Sequence, residues 1–171
     1  MVYIQKKKDI LWGGATASSQ YEGGYDLDGK GLDTQDCRPY LKRTSDATTA
    51  TRLLTQEVID EAKKCQGIGN YPFRKGSDGY HHIDEDIALL KELGIDIYRF
   101  SISWARLYPQ GDELEPNKEG IAFYDHIFKE VHKAGMKIFL TMNHYAVPLY
   151  LVENYGGWTN RKLVTFYERF A

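Results

Sequence analysis

The 171-residue sequence predicts an α/β fold: the first three βα units of a (β/α)8 TIM barrel. Helix-period and strand-period segments alternate along the chain, each of the first two helices stops on a glycine just before a strand, and polar residues gather where the strands end. Alternation of this kind implies parallel strands, because a parallel pair needs a crossover and the crossover is usually a helix. A chain of this length buries about two-thirds of its unfolded surface as one domain, so a single domain is expected.

The first strand is read in "ILWGGATA", from Ile10, and leads through small residues to Gln20 and Glu22. Next, Leu41 to Asn70 is read as a long loop excursion with one short helix, and loops of that length are usually lids or disordered. In "GYHHIDEDIALLKELG", Ile83, Ile87, Leu90 and Leu93 recur at helical spacing and Gly94 supplies the stop. "IDIYRFSISW" then alternates, with Tyr98, Phe100, Ile102 and Trp104 facing one way and Arg99, Ser101 and Ser103 the other. The unit repeats. "NKEGIAFYDHIFKEVHKAG" places Tyr124, Ile127, Phe128 and Val131 on one face and ends at Gly135, after which "MKIFLTMNHY" reads as a buried strand. A last helix in "NRKLVTFYERFA" has Asn160 as its cap and Leu163, Tyr167 and Phe170 on its apolar side.

An open doubly wound sheet competes with the barrel, but it needs G-x-G-x-x-G after the first strand, and "WGGATASSQ" lacks it. Barrels collect polar groups at the C-terminal ends of their strands, as here on Gln20, Arg99 with Ser101 and Ser103, and Asn143 with His144. A guanidinium buried on a strand face needs an acid, so Arg99 is expected to meet one. Eight units require about 250 residues. Three strands do not close, and a chain cut here would expose the apolar edge where a fourth strand belongs.

Composition excludes several function classes. A net charge of -2 without a basic stripe argues against nucleic acid. No run of about 18 apolar residues supports a membrane span, and "MVYIQKKKDI" has no following apolar segment, so a cytoplasmic location is expected. Cys37 and Cys65 form neither a CxxC nor a zinc pattern. Thirteen tyrosines leave stacking on sugar rings open beside a tyrosine-rich core.

Hydrolytic serine motifs are missing, since Ser101 and Ser103 lie on a strand rather than at an elbow. His81 and His82 are adjacent and share no helical face, and no metal or other cofactor is expected. "DLDGKGLDTQDC" fails as a calcium loop: counted from Asp26, Lys30 stands at the fifth place and Cys37 at the twelfth. A turn-rich loop is the better account. Bond cleavage between two flanking carboxylates needs a pair of acids. Glu61, Glu85, Glu92, Glu130 and Glu168 fall on outer helices, which leaves Glu22, and for it a structural ion pair is the favoured reading. Gln20 and His144 carry the right atoms to hold vicinal hydroxyls, although from the residue alone a satisfied core histidine is the favoured reading of His144.

These segments resemble glycoside hydrolase family 1, β-glycosidases that cleave with retention on an eight-stranded barrel. The resemblance rests on "LWGGATASSQYEGG", "YHHIDEDIALLKELGIDIYRFSISWARLYPQG" and "HYAVPLYLVENYGGWTNRKLVTFYERFA", which span nearly the whole chain. Within the family, "GGYDLDGKGLDTQD" and "GDELEPNKEGIAFYDHIFKE" are most similar to the bacterial 6-phospho-β-glucosidases, cytoplasmic enzymes. The resemblance implies that Gln20 and His144 bind hydroxyls of the non-reducing sugar. It implies that Arg99 lies against the catalytic nucleophile and keeps it ionised, as a guanidinium beside a carboxylate does. Ile10 stands where the signature has Phe, Ser19 where an aromatic or amide is usual, and Ala146 where relatives commonly carry an acid. The acid/base glutamate, the nucleophile and the phosphate-binding residues of the family are not in these 171 residues, so the segment by itself is expected to be inactive. The partner implied is a β-glucoside or 6-phospho-β-glucoside, with self-association through the open edge as a further expectation. An unphosphorylated β-glucosidase or β-galactosidase of the same family, or a non-catalytic chain that binds sugar or associates, are the alternatives.

Overall fold

The structure, a computed structural model, describes residues 10–42 and 53–171. Its centre is a three-stranded parallel sheet in the order β1-β2-β3. β1 is Gly13–Ala15, β2 Ile97–Ser101 and β3 Lys137–Thr141. Gly13 is paired with Ile97 and Ala15 with Arg99, while β2 and β3 run in register from Ile97 with Lys137 to Ser101 with Thr141. All three strands therefore end on the same side of the molecule.

The helices follow as α1 (Ser18–Tyr21), α2 (Gln56–Lys64), α3 (Gly79–Glu92), α4 (Trp104–Leu107), α5 (Lys118–Lys133), α6 (Leu149–Tyr155) and α7 (Lys162–Phe170). α3 and α5 are the two crossovers, and the sequence period placed their buried faces correctly: Ile83 and Ile87 on α3, and Tyr124, Ile127 and Val131 on α5. Asn117 caps α5 by accepting from the Glu119 N–H at 3.3 Å. Both helices stop at glycines with positive φ, Gly94 at +71° and Gly135 at +82°, where an L side chain would be strained. Leu93 departs from the expected apolar face: at the C-cap it has turned off the helix and is 75% exposed. Asn160 lies two residues before the first residue of α7 and accepts from the Lys162 N–H at 3.0 Å, while Arg161 occupies the N-cap position.

Tyr98 and Phe100 point from β2 into the core beneath α3 and α5, with Trp104, Leu151 and Leu163 completing it. Trp104 stands inside an aromatic cluster of Tyr167, Phe170 and Trp158. The strand itself is shorter than its alternation implied. The Ser103 N–H donates to the Tyr124 hydroxyl at 2.7 Å rather than to a neighbouring strand, so the ladder ends and Trp104 opens α4. β1 is also shorter than expected: Ile10, Leu11 and Trp12 are exposed and precede the strand.

β3 is not the buried strand that its apolar run predicts. Ile138 packs against the core, but Phe139 is 57% exposed and Leu140 38%. Among the described residues β3 pairs with β2 alone, and nothing covers the face opposite the helices.

In the expected excursion from Leu41 to Asn70, residues 43–52 lie outside the described residues. The short helix is α2, whose Ile59 and Ala62 form a second small core with Cys37, Tyr71 and Leu149. The two cysteines are free. Among the described residues no helix is long and apolar enough to cross a membrane, and no group of three metal-ligating side chains occurs.

Candidate functional site

Of the three residues singled out from the sequence, Gln20 and His144 follow the C-terminal ends of β1 and β3, and Arg99 lies mid-strand on β2. Gln20 is not on the strand end itself. β1 stops at Ala15, and Gln20 is exposed on the single turn of α1, five residues further on. α1 is tied to β2 where the Ser18 N–H donates to Ser101 Oγ at 2.7 Å, which explains why Ser101 is buried rather than facing out with Arg99.

Arg99 lies one residue before Phe100 on the uncovered face of β2. It is exposed, not buried as expected, and its Nε donates to Thr141 Oγ1 across the ladder at 2.9 Å. The guanidinium stands 5.9 Å from the centre of the Phe139 ring. No carboxylate reaches it among the described residues, and its exposure removes the desolvation cost that would have demanded one. His144 is half-buried three residues past Thr141, with its ring edge-on to Tyr145 at 4.5 Å. Gln20 and His144 thus lie beyond the C-terminal ends of β1 and β3, and Arg99 lies on the uncovered face of the strand between them.

Glu22 proves structural. It is 4% exposed and forms an ion pair with Arg106 at 3.0 Å, while Tyr124 donates its hydroxyl proton to the other carboxylate oxygen at 2.6 Å. Arg106 also donates to the carbonyls of Gly23 and Gly24, and the stacked rings of Tyr80 and Phe123 lie beside it at 4.7 and 5.0 Å. Burial works against the charged guanidinium, yet the adjoining Glu22 carboxylate wins and raises its pKa. Burial, followed by the Glu22 charge, drives the Tyr124 hydroxyl well above its ordinary value. α4 and α5 close tightly over this group: a side chain on Gly120 would stand 2.3 Å from the Arg106 carbonyl oxygen. Through it the turn bearing Gln20 is anchored to the core.

A second buried charge group was missed in the sequence. Lys30 Nζ lies 2.5 Å from Asp36 and 3.4 Å from Asp33, with all three side chains about 5% exposed or less. The loop that fails as a calcium site because Lys30 occupies a ligand position is organised around the Lys30 ammonium instead. The signal was present in that count: a cation stood where a ligand was sought. Burial first, then the Asp33 charge, pushes the Asp36 carboxyl up to about 6, with Lys30 pulling the other way. Burial lowers and the two carboxylates raise the Lys30 pKa, and the carboxylates prevail.

Tyr145 is a further residue the sequence did not mark. Its φ is +71°, a conformation that costs a bulky side chain about 1–3 kcal/mol and that clusters at functional sites. With Thr34, Gln35, Arg38, Val147 and Trp158 it lines an open cleft of roughly 490 Å³ beside His144. Tyr145 and Trp158 are both exposed, with one part of Trp158 packed against Trp104 and Tyr167.

The chain is similar along nearly its whole length to known proteins. It is 44% identical over 162 residues to a phospho-cellobiase of Klebsiella oxytoca, which covers 95% of this chain and 32% of that protein. It is 41% identical over 164 residues to the 6-phospho-beta-glucosidase AscB of Escherichia coli (strain K12), covering 96% of this chain and 33% of that protein. Among solved structures, the rice beta-glucosidase Os3BGlu6 in a covalent complex with Glc superposes with a TM-score of 0.73 at 28% identity, over 96% of this chain and 30% of that one. The chain thus spans about a third of the length of the curated relatives it matches. The family model described as glycosyl hydrolase family 1 matches residues 3–171, and the chain belongs to that family.

Proposed function

We propose that these residues are the N-terminal part of a retaining β-glycosidase that hydrolyses 6-phospho-β-glucosides in the cytoplasm, folded as the first three βα units of an eight-stranded barrel. The observation that supports it is the family match along the whole chain, with relatives named as a phospho-cellobiase and a 6-phospho-beta-glucosidase, on a parallel sheet whose β1 and β3 lead into the segments bearing Gln20 and His144. In such barrels the reacting groups come from the C-terminal ends of several strands.

In this reading Gln20 and His144 grip hydroxyls of the sugar, an amide serving as donor and acceptor and an imidazole as one or the other. Arg99 is exposed on the face that would become the barrel interior, with its charge turned to a carboxylate nucleophile supplied by a later strand. A cation there holds the nucleophile ionised. Retention requires two carboxyl groups about 5–5.5 Å apart, one forming a glycosyl ester and the other acting first as acid and then as base. Neither is among these residues, and Glu22, locked to Arg106, is not one of them. The covalent sugar in the rice relative accords with that chemistry.

The test uses the enzyme encoded by the complete reading frame that contains these residues. Turnover of nitrophenyl 6-phospho-β-glucoside should exceed that of nitrophenyl β-glucoside, and preference for the unphosphorylated sugar would move the protein to the β-glucosidase branch. The 171 residues alone should turn over neither substrate. Their exposed β3 edge should also make them associate, so a monomer with a cooperative melt would contradict this reading.

A further inference from the structure

We propose that Lys30 and Asp33 are positioning residues for His144, acting through a strap between residues 32–34 and 147–149. The inference rests on the reading of His144 as a sugar-binding group and adds what holds it in place.

The strap is short and fully hydrogen-bonded. Asp33 bridges Pro148 in antiparallel fashion, the Thr34 N–H donates to the Val147 carbonyl at 3.0 Å, and the Leu149 N–H donates to the Leu32 carbonyl at 2.8 Å. The Val147 N–H adds a bond to Thr34 Oγ1 at 3.3 Å. On the other side of His144 the chain is fixed by β3, whose last residue, Thr141, accepts from the Ile102 N–H at 3.2 Å. Between these anchors only residues 142–146 bridge the gap, and within them Tyr145 is forced to a φ of +71°. A bulky residue stays in that conformation only where both flanks are held.

The ion cluster holds the loop side of the strap. Asp33 Oδ1 accepts from the N–H groups of Gln35 and Asp36 at 2.7 and 3.2 Å, and Asp36 Oδ2 accepts from the Asp33 N–H at 3.0 Å as well as from Lys30. Lys30 thus ties together two carboxylates that each organise the backbone on which the strap is built. The Asp36 carbonyl extends the brace by accepting from Arg74 Nε at 3.0 Å. Removing the ammonium leaves two like charges buried side by side, so one carboxylate takes up a proton or the loop opens to hydrate it, and either way the tie between the two is lost. Tyr145 is then free to relax toward the β region, and His144 turns with it.

The test again uses the enzyme encoded by the complete reading frame, with nitrophenyl 6-phospho-β-glucoside as substrate. Lys30→Met should raise KM about tenfold while kcat per folded site changes less than about threefold. Asp36→Asn, which leaves Lys30 facing Asp33, should keep KM within about twofold. Thr34→Val, which removes one strap bond without touching the charges, should raise KM about threefold. The His144 ring signal in histidine-labelled enzyme, assigned with His144→Gln, should shift in Lys30→Met and Thr34→Val but not in Asp36→Asn. A structural role alone lowers the folded fraction and leaves both KM and that signal unchanged, an outcome that overturns the proposal. Should Lys30→Met fail to fold, an unchanged KM and signal in Thr34→Val overturn it equally. If the wild-type enzyme does not cleave the substrate, the proposed function falls, while the His144 signal still decides whether the cluster positions that ring.

Discussion

Two buried charge groups brace the segments that carry Gln20 and His144, and they are built differently. Behind Gln20, one guanidinium meets one carboxylate beside two stacked aromatic rings, with a tyrosine hydroxyl taking the second carboxylate oxygen. Before His144, one ammonium serves two carboxylates in a loop of backbone turns. The first group is balanced in charge. The second carries one negative charge too many, and burial first, then the neighbouring Asp33 charge, raises the Asp36 pKa. A balanced buried pair acts as a permanent fastening, whereas an unbalanced one responds to its surroundings.

The largest break should come from the balanced group. Arg106→Met leaves Glu22 buried without its cation and should destabilise the fold by about 3–5 kcal/mol in chemical denaturation. A loss below about 1 kcal/mol would mean that Glu22 reaches water or takes up a proton at little cost. Tyr124→Phe is the milder version. It strands Glu22 Oε1 and the Ser103 N–H together, and should cost about 1–3 kcal/mol with the fold retained.

What the sequence made legible follows from the range of the forces involved. The buried faces of α3 and α5 and the inward pair Tyr98 and Phe100 were readable because period 3.6 and period 2 record burial locally. Glu22 was readable as structural, but its partner was not: Arg106 lies 84 residues away, and no local pattern links them. Arg99 and β3 failed for another reason. Whether a strand face is buried depends on what covers it, and an apolar run such as "KIFLT" is silent about its neighbours. The strap was hidden in the same way, since Thr34 and Val147 meet across 113 residues. Gln20 and His144 were singled out by strand-end position and by side chains suited to hydroxyls, and the family resemblance added the sugar-binding role.

The smallest effect at neutral pH should distinguish the two groups most clearly. Asp36→Asn keeps the shape of the side chain and an oxygen to accept from the Asp33 N–H, and Lys30 retains Asp33, so stability at pH 7 should change by about 1 kcal/mol or less. Its signature is in the pH dependence. Asp36 titrates near 6 in the fold against 3.8 for an ordinary aspartate, so between these values the folded chain holds a proton that the unfolded chain has released. That contribution is complete below 3.8 and is lost as pH rises through about 6. In the wild-type chain this group therefore opposes the usual gain in stability on leaving acid, and Asp36→Asn should remove the opposition, steepening the rise between pH 4 and 6. The balanced group should add nothing there through Arg106, whose guanidinium stays charged throughout that range. Denaturation midpoints of both chains measured across the window decide the point: parallel curves would mean that Asp36 is already ionised in the fold near its ordinary value, and that the cluster hydrates its surplus charge instead of protonating it.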